Sequence, residues 1–340
     1  MTISPLSTVS SAVIGAAVPA VQTGDPTPAA AAPPAVGPQA AALAALDAAV
    51  QTAAGRQSGL APLLANLEIA LQTPGLPPPV LTAAAQVLGL QLPLDPAPTA
   101  SDLRQALTQS GLFLEALTAS SDTAAGPDLK AALLALGQAL ESWLAGGGQG
   151  TPTARPPAPP YAGGPVRGQA PAAASLPPGA SAETVGGKLL QQTSGAIARQ
   201  VLLQAASLPG QPRAADQAQS PQWLFEIPLA TPQGAAVAQF EITRDGGRGG
   251  DDEDPPVWRT RFSLHLEPMG PVHAQIALRG DHVHVSLWAE NAETAGQLAM
   301  QSADLSNALR DDDLHATVSV APGAPTVAPP PAGRLVDKAL

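Results

Sequence analysis

All five histidines of the chain fall between His265 and His315. Imidazoles this close in sequence, carried on neighbouring strands, could supply metal ligands or general bases. Arg259, Arg261 and Arg279 stand among them. A metal site assembled across strands also needs carboxylates and hydrogen-bonded partners that orient each imidazole, and the spacing supplies none. The same residues fit a second chemistry better, a polar docking face for an acidic partner, with Trp288 as an exposed aromatic opposite His273. The acidic run Asp251, Asp252, Glu253, Asp254 lacks the spacing of an EF-hand and reads as a solvated loop. Gly146, Gly147 and Gly148 are not followed by Lys and Ser or Thr, so no phosphate loop is present. No serine sits in a nucleophile elbow. The residues therefore predict no catalytic group, no metal and no cofactor, and a chain that is not an enzyme.

The elements that must position these side chains come from hydrophobic period. Beyond Gln222 apolar residues recur every second position: Trp223, Phe225, Ile227 and Leu229, then Ala236, Ala238, Phe240 and Ile242. A third strand carries Trp258, Phe262, Leu264 and Leu266, a fourth Val272, Ala274, Ile276 and Leu278, a fifth Val283, Val285 and Leu287. Gly280 and Asp281 form a two-residue turn between the last two. That turn sets Leu278 opposite Val283 and Ile276 opposite Val285, so the apolar faces coincide. On this register His265, His273, His282, His284, Arg259, Arg261 and Arg279 point to the other face. A helix over about 291–310 begins behind Asn291 and spaces Ala295, Leu298, Leu305 and Leu309 to cover the sheet. A final strand spans 314–320.

Upstream the chain changes character. Before residue 180 there are 14 charged residues (9 acidic, 5 basic) and after it 29 (18 acidic, 11 basic), and six of the nine aromatics also follow it. Residues 1–37 read as disordered, and 38–145 as Ala/Leu-rich helices near 39–54, 58–72, 79–89, 101–118 and 127–145. The fourth carries Leu103, Leu107, Leu114 and Leu117 behind a Ser101 cap, the fifth Leu129, Leu133, Leu136, Leu140 and Trp143. These stripes suit either a loose bundle or marginal helices that form only against a partner. Residues 146–182 form a Pro/Gly/Ala linker that does not pack. A helix over about 184–208, with Leu190, Ile197, Val201, Ala205 and Leu208 on one face, leads into a C-terminal domain at 183–323, and 324–340 is a tail. The fold class is α+β: a small, mostly antiparallel sheet covered by one helix at the C-terminus, preceded by a largely disordered Ala/Pro-rich region with short helices.

Composition bounds the partners. Hydrophobic residues are 45% of the 340, but aromatics only 3% and charged residues 13%, so much of the apolar content is alanine, which buries little surface. A net charge of −11 gives no electrostatic reason to bind nucleic acid or anionic lipid. No run of 18 apolar residues suits membrane insertion. Cysteine is absent, which removes disulfides and thiolate sites, and fits a chain that must unfold to pass a channel. Residues 1–20 hold no Lys or Arg, a poor secretory signal but one compatible with type III export.

The segment from Phe262 through Pro268, Met269, Gly270, Pro271 and Val272, then Ile276 to Gly280, Val283 to Glu290, Thr294 and Leu298, resembles the C-terminal domain of flagellar hook-length control proteins. Ser110, Gly111, Leu112 and Phe113 resemble a short motif of their N-terminal regions. Met269 stands where that family carries leucine, and Asp311, Asp312 and Asp313 where it ends the helix with a small residue and glycine. The resemblance implies an exported molecular ruler, cytoplasmic before export and then secreted through the flagellar type III apparatus. Its C-terminal domain would contact the cytoplasmic domain of the export gate and switch export from hook-type to filament-type subunits. The further partners implied are hook and hook-cap subunits, and the chain is expected to be a monomer. Partner-binding residues are expected at Pro268, Met269, Gly270, Pro271 and Val272, together with Arg259, Arg261, His273 and Trp288. About 180 leader residues pulled straight would span roughly 600 Å. The alternative is a secreted or cytoplasmic scaffold without a switching role.

Overall fold

The computed structural model describes residues 37–119, 126–145, 156–177, 179–208, 221–245 and 255–326. The expected export signal, the acidic run 251–254 and the tail from 327 lie outside the described residues. The chain divides into two units, residues 1–41 and 42–340. Of the first, only the opening of one helix is described.

The described elements, in order, are α1 (Pro38–Arg56), α2 (Leu60–Ala70), α3 (Pro78–Leu88), β1 (Leu92–Pro93), α4 (Ala100–Thr108), α5 (Leu114–Ala119), α6 (Leu129–Leu144) and α7 (Ala182–Ser207). There follow β2 (Gln222–Thr231), β3 (Gly234–Asp245), β4 (Val257–Leu266), β5 (Gly270–Arg279), β6 (His282–Ala289), α8 (Ala292–Asp311) and β7 (His315–Pro322). The class is α+β. The sheet is larger than the alternation alone suggests, seven strands in the order β1-β2-β3-β4-β5-β6-β7. Strands β2 to β6 are antiparallel, while β1 pairs parallel to β2 and β7 parallel to β6. Hairpin and meander are thus one sheet, joined where β3 pairs β4 with Phe240 opposite Phe262. The expected register holds between β5 and β6, with Leu278 opposite Val283 and Ile276 opposite Val285.

One helix does not cover the apolar face, as the 291–310 pattern implied. α8 packs on β6 and β7, while the far end of the same face, with Phe225, Ile227, Leu229, Ala236 and Ala238, is covered by Ala106 and Leu107 of α4 and by Leu112. Phe225, Phe240 and Phe262 stack across three strands at centroid distances of 5.2 and 5.3 Å. α8 begins as expected: the Asn291 side chain accepts from the N–H groups of Glu293 and Thr294. It ends with Leu314 N–H donating to Leu309 O and Asp313 N–H to Arg310 O, and Asp313 takes φ 60, a left-handed conformation that glycine usually occupies at a helix end.

The helical region is not loose. Leu60, Leu63, Leu64 and Leu67 of α2, Val80 and Val87 of α3, Leu129, Leu133, Leu136 and Leu140 of α6 and Val185 and Leu189 of α7 form one core with Ala235 and Val237 of β3. Each fully buried leucine contributes about 1.5–3 kcal/mol. These helices therefore pack on the face of β2 and β3 opposite to α4. The 101–118 helix is two helices, because the chain turns at Gly111, with φ +90. Its cap is not Ser101 but Thr99, whose hydroxyl accepts from Asp102 N–H while Asp102 accepts from Thr99 N–H. Leu103 and Leu117, expected on the buried stripe, are exposed. α7 is also turned from its expected stripe: Leu190, Ile197 and Val201 are half-buried and Leu208 exposed. Its deepest face carries Leu189, Thr193, Ala196, Gln200 and Leu203, since it is flanked by α2, α6 and β2.

Residues 156–177, read from composition as part of an unpacked linker, lie across the sheet. Gln169 forms an antiparallel bridge with Val237. The backbone N–H groups of Gly163, Arg167 and Gly168 donate to Glu241, Gln239 and Ser263. Proline removes several backbone donors from this strap; of those that remain, Gly163, Arg167 and Gly168 donate to side chains of β3 and β4, Gln169 to Val237 O and Ser175 to the Asn66 side chain of α2.

Candidate partner-binding face

Three polar rows cross the non-apolar face of β3 to β7. Glu241, Arg261, Gln275, Ser286 and Ser319 are successive register partners, as are Gln239, Ser263, His273 and Trp288, and Thr243, Arg259, Ala277, His284 and Thr317. Alternation in the sequence fixes these positions, and the Gly280–Asp281 turn aligns them across β5 and β6.

Of the nine expected residues, four meet at one cavity of about 470 Å³: Arg261, Pro271, His273 and Trp288, with Arg167 of the strap and Glu290 on its walls. Arg259 lines a smaller neighbouring cavity of about 240 Å³, whose wall also includes Arg261. The other four stand elsewhere. Val272 pairs with Leu264 and Ala289 on the apolar face, so its side chain is not on the docking side. Pro268 and Met269 form the exposed β4–β5 turn, and Gly270 closes it with φ +75. Thr294 Oγ1 donates to Met269 O at 2.8 Å, which ties this turn to the first turn of α8.

The face is not the cationic surface that its arginines and histidines suggested. Arg261 pairs with Glu241 and also donates to Gly164 O at 3.2 Å, and Arg259 pairs with Asp245. His273 Nε2 lies 3.1 Å from Glu290 Oε1, and His265 Nε2 lies 3.6 Å from Glu267 Oε1. Arg259 and Arg261 are thus each matched by a carboxylate, which leaves them little net attraction for an acidic partner. Nor is the whole face open: Glu241, Gln239, Ser263 and His273 are buried. The acidic counter-ions Glu241 and Asp245 were overlooked in the sequence, although Glu241 occupies a polar position of the same period-2 strand. Nothing in the spacing linked the strap to them, because that pairing spans more than 70 residues.

Among the described residues no group of three His, Asp or Glu is placed to hold a metal. The nearest grouping is a hydrogen-bonded one. Asp281 accepts from His282 at 2.7 Å and faces His315 at 3.4 Å, and the His282 contact holds the Asp281 carboxyl below its ordinary range.

Under the strap side lies a buried ion pair. Arg199 Nε donates to Glu226 Oε1 at 2.6 Å, and Arg199 Nη1 to Gln57 Oε1 at 3.2 Å, linking α7, the α1–α2 junction and β2. Nothing else inside α7 marks this arginine, though a basic residue in an apolar helix implies a buried acid.

Comparison with known families matches residues 246–328 to flagellar hook-length control protein FliK. That span takes in β4 to β7 and α8, including the β4–β5 turn and the cavity walls other than the strap residues 165–168. No curated protein and no solved structure matches the chain.

Proposed function

We propose that this chain is a hook-length control protein: an exported ruler whose C-terminal region switches flagellar export from hook-type to filament-type subunits by contacting the cytoplasmic domain of the export gate. The observation that carries this reading is the hook-length control match over residues 246–328, which coincides with the half of the sheet that bears the polar cavity. The match supports a regulatory role in flagellum assembly and not catalysis. The division of labour is a leader ahead of residue 183 and a switch region at 183–323. Trp288, Arg261, His273 and Pro271 are the contact residues on the cavity, with Arg259 at its rim and the turn Pro268, Met269, Gly270 beside it; Val272 acts from beneath by packing. Hook and hook-cap subunits are the partners met during export. Among the described residues no helix is long and apolar enough to cross a membrane. The chain holds no disulfide, so its packed helices can be pulled apart for passage.

Deleting residues 223–323 should give overlong hooks without filaments, measured by electron microscopy of purified hook-basal bodies; normal hooks and filaments would refute the switch. Inserting 30 to 60 residues into the 1–36 leader should lengthen hooks in proportion. A second reading, a scaffold without switching, draws on the core that helices α2, α3, α6 and α7 share with β3. It predicts unchanged hook length after the same insertions.

A further inference from the structure

Among the described residues the sheet has one long open edge. β1, at one end, is two residues long and lies at residues 92–93. β7, at the other end, runs eight residues and pairs only with β6. His315 N–H donates to Asp281 O and Gly323 N–H to Ala289 O, so odd-numbered residues of β7 turn their backbone toward β6. Ala316, Val318 and Val320 therefore turn their N–H and C=O groups outward, where no strand lies among the described residues. Edge strands are ordinarily blunted by lysine, proline, inward charge or a bulge. Within β7 only the last residue, Pro322, is of that kind; residues 315–321 contain no Lys, Arg, Asp, Glu or Pro. The side chains of Ala316, Val318 and Val320 are half-buried on the face that α8 covers, and Thr317 and Ser319 are exposed on the other. The edge thus offers three outward donor and acceptor pairs between a small apolar rail and a hydroxyl rail.

Charge says what lies at one end of the guest. Asp311, Asp312 and Asp313 are exposed where α8 turns into β7, and no basic side chain pairs with them among the described residues. They add negative charge to a helix end that already carries the negative pole of its dipole. Antiparallel pairing is the stronger ladder, and it would bring the C-terminal end of an added strand beside these acids.

We propose that the free edge of β7 is a docking site for an extended segment of another protein, which adds as an antiparallel eighth strand and carries Lys or Arg immediately after it, beside Asp311, Asp312 and Asp313. Backbone pairing supplies the binding and the alternate side chains supply selectivity, small apolar residues toward α8 and hydroxyl residues toward Thr317 and Ser319. The site is distinct from the polar cavity and does not depend on the switch.

The test uses the full chain and a fluorescein-labelled peptide of alternating threonine and valine ending in two lysines. Anisotropy should rise to saturation. Val318→Pro, which removes the central outward N–H, should weaken binding at least tenfold. Replacing Asp311 and Asp312 together by asparagine should weaken it severalfold without touching the strand, and this pair decides the matter if Val318→Pro does not fold. A peptide with the two lysines at its start should bind less well. Absence of saturable binding, or equal binding by the aspartate-to-asparagine variant and the parent, overturns the proposal. So does a concentration-dependent dimer in sedimentation that Val318→Pro abolishes, which would make a second copy the occupant.

Discussion

The two halves of the sheet are covered differently. Strands β2 and β3 are sandwiched, with α4 and Leu112 on one face and α2, α7 and the 156–177 strap on the other. Strands β6 and β7 have α8 on one face, while on their other face His284, Thr317 and Ser319 are exposed, and among the described residues no strand pairs with the outer edge of β7. Polar side chains on the two halves consequently do different things. Glu226, Gln239 and Glu241 are buried and satisfy an arginine or the strap, whereas His284, Thr317 and Ser319 on the same face are exposed. The family match falls on the thinly covered half with β4. A surface left open by the fold is where a partner can act, and a surface locked by its own chain is what holds that surface still.

The largest effect should come from breaking the locked half. Glu226→Ala strips a carboxylate that is 1% exposed from Arg199 and leaves a buried charge unpaired. It should reduce unfolding free energy by about 3–5 kcal/mol in urea titration; a loss under about 1 kcal/mol would mean the pair does not anchor α7 to β2. On the open half, Trp288→Ala should leave the urea midpoint nearly unchanged. On the proposed function it should weaken binding to the purified export-gate cytoplasmic domain by about 2 kcal/mol, read by calorimetry. Equal affinity for both proteins would remove Trp288 from the contact.

The strap gives a smaller effect at the border between the halves. A Cβ on Gly168 would lie 2.7 Å from Leu264 Cα and 2.8 Å from Ser263 O, both backbone atoms that cannot swing away. Gly168→Ala should therefore lift the strap, lower stability by about 1–3 kcal/mol and speed amide exchange at residues 163–169. Unchanged exchange there would show that the strap tolerates the side chain. The smallest effect has the opposite sign. Asp313→Gly relieves the φ 60 conformation and removes an acid from the end of α8, and should stabilise by about 0.5–1 kcal/mol. A loss of stability on thermal unfolding would mean that the Asp313 side chain supports the turn.

The open half was the more legible in the sequence. Period-2 alternation, the Gly280–Asp281 turn and the Asn291 cap are local signals, and each is realised where the pattern put it. The locked half depends on pairings across long stretches of chain. The Asn66 side chain donates to Gln192 and accepts from Ser175 N–H, links that span 126 and 109 residues and leave no local trace. Alanine-rich stripes likewise could not say which face of α7 would be deepest, because helices pack around it on more than one side. The expected docking residues were half legible: alternation put Arg261, His273 and Trp288 on one face and Val272 on the reverse, but only the pairing of β3 with β4 reveals Glu241 beside Arg261.

Native-state hydrogen exchange on the full chain tests this contrast most directly. Amides of β3 that pair with both neighbours, such as those near Ala238 and Phe240, should exchange only through global unfolding. The outward amides of Ala316, Val318 and Val320 should exchange by a far more accessible route, several kcal/mol lower in free energy. Equal protection of β3 and of those three amides would contradict the account.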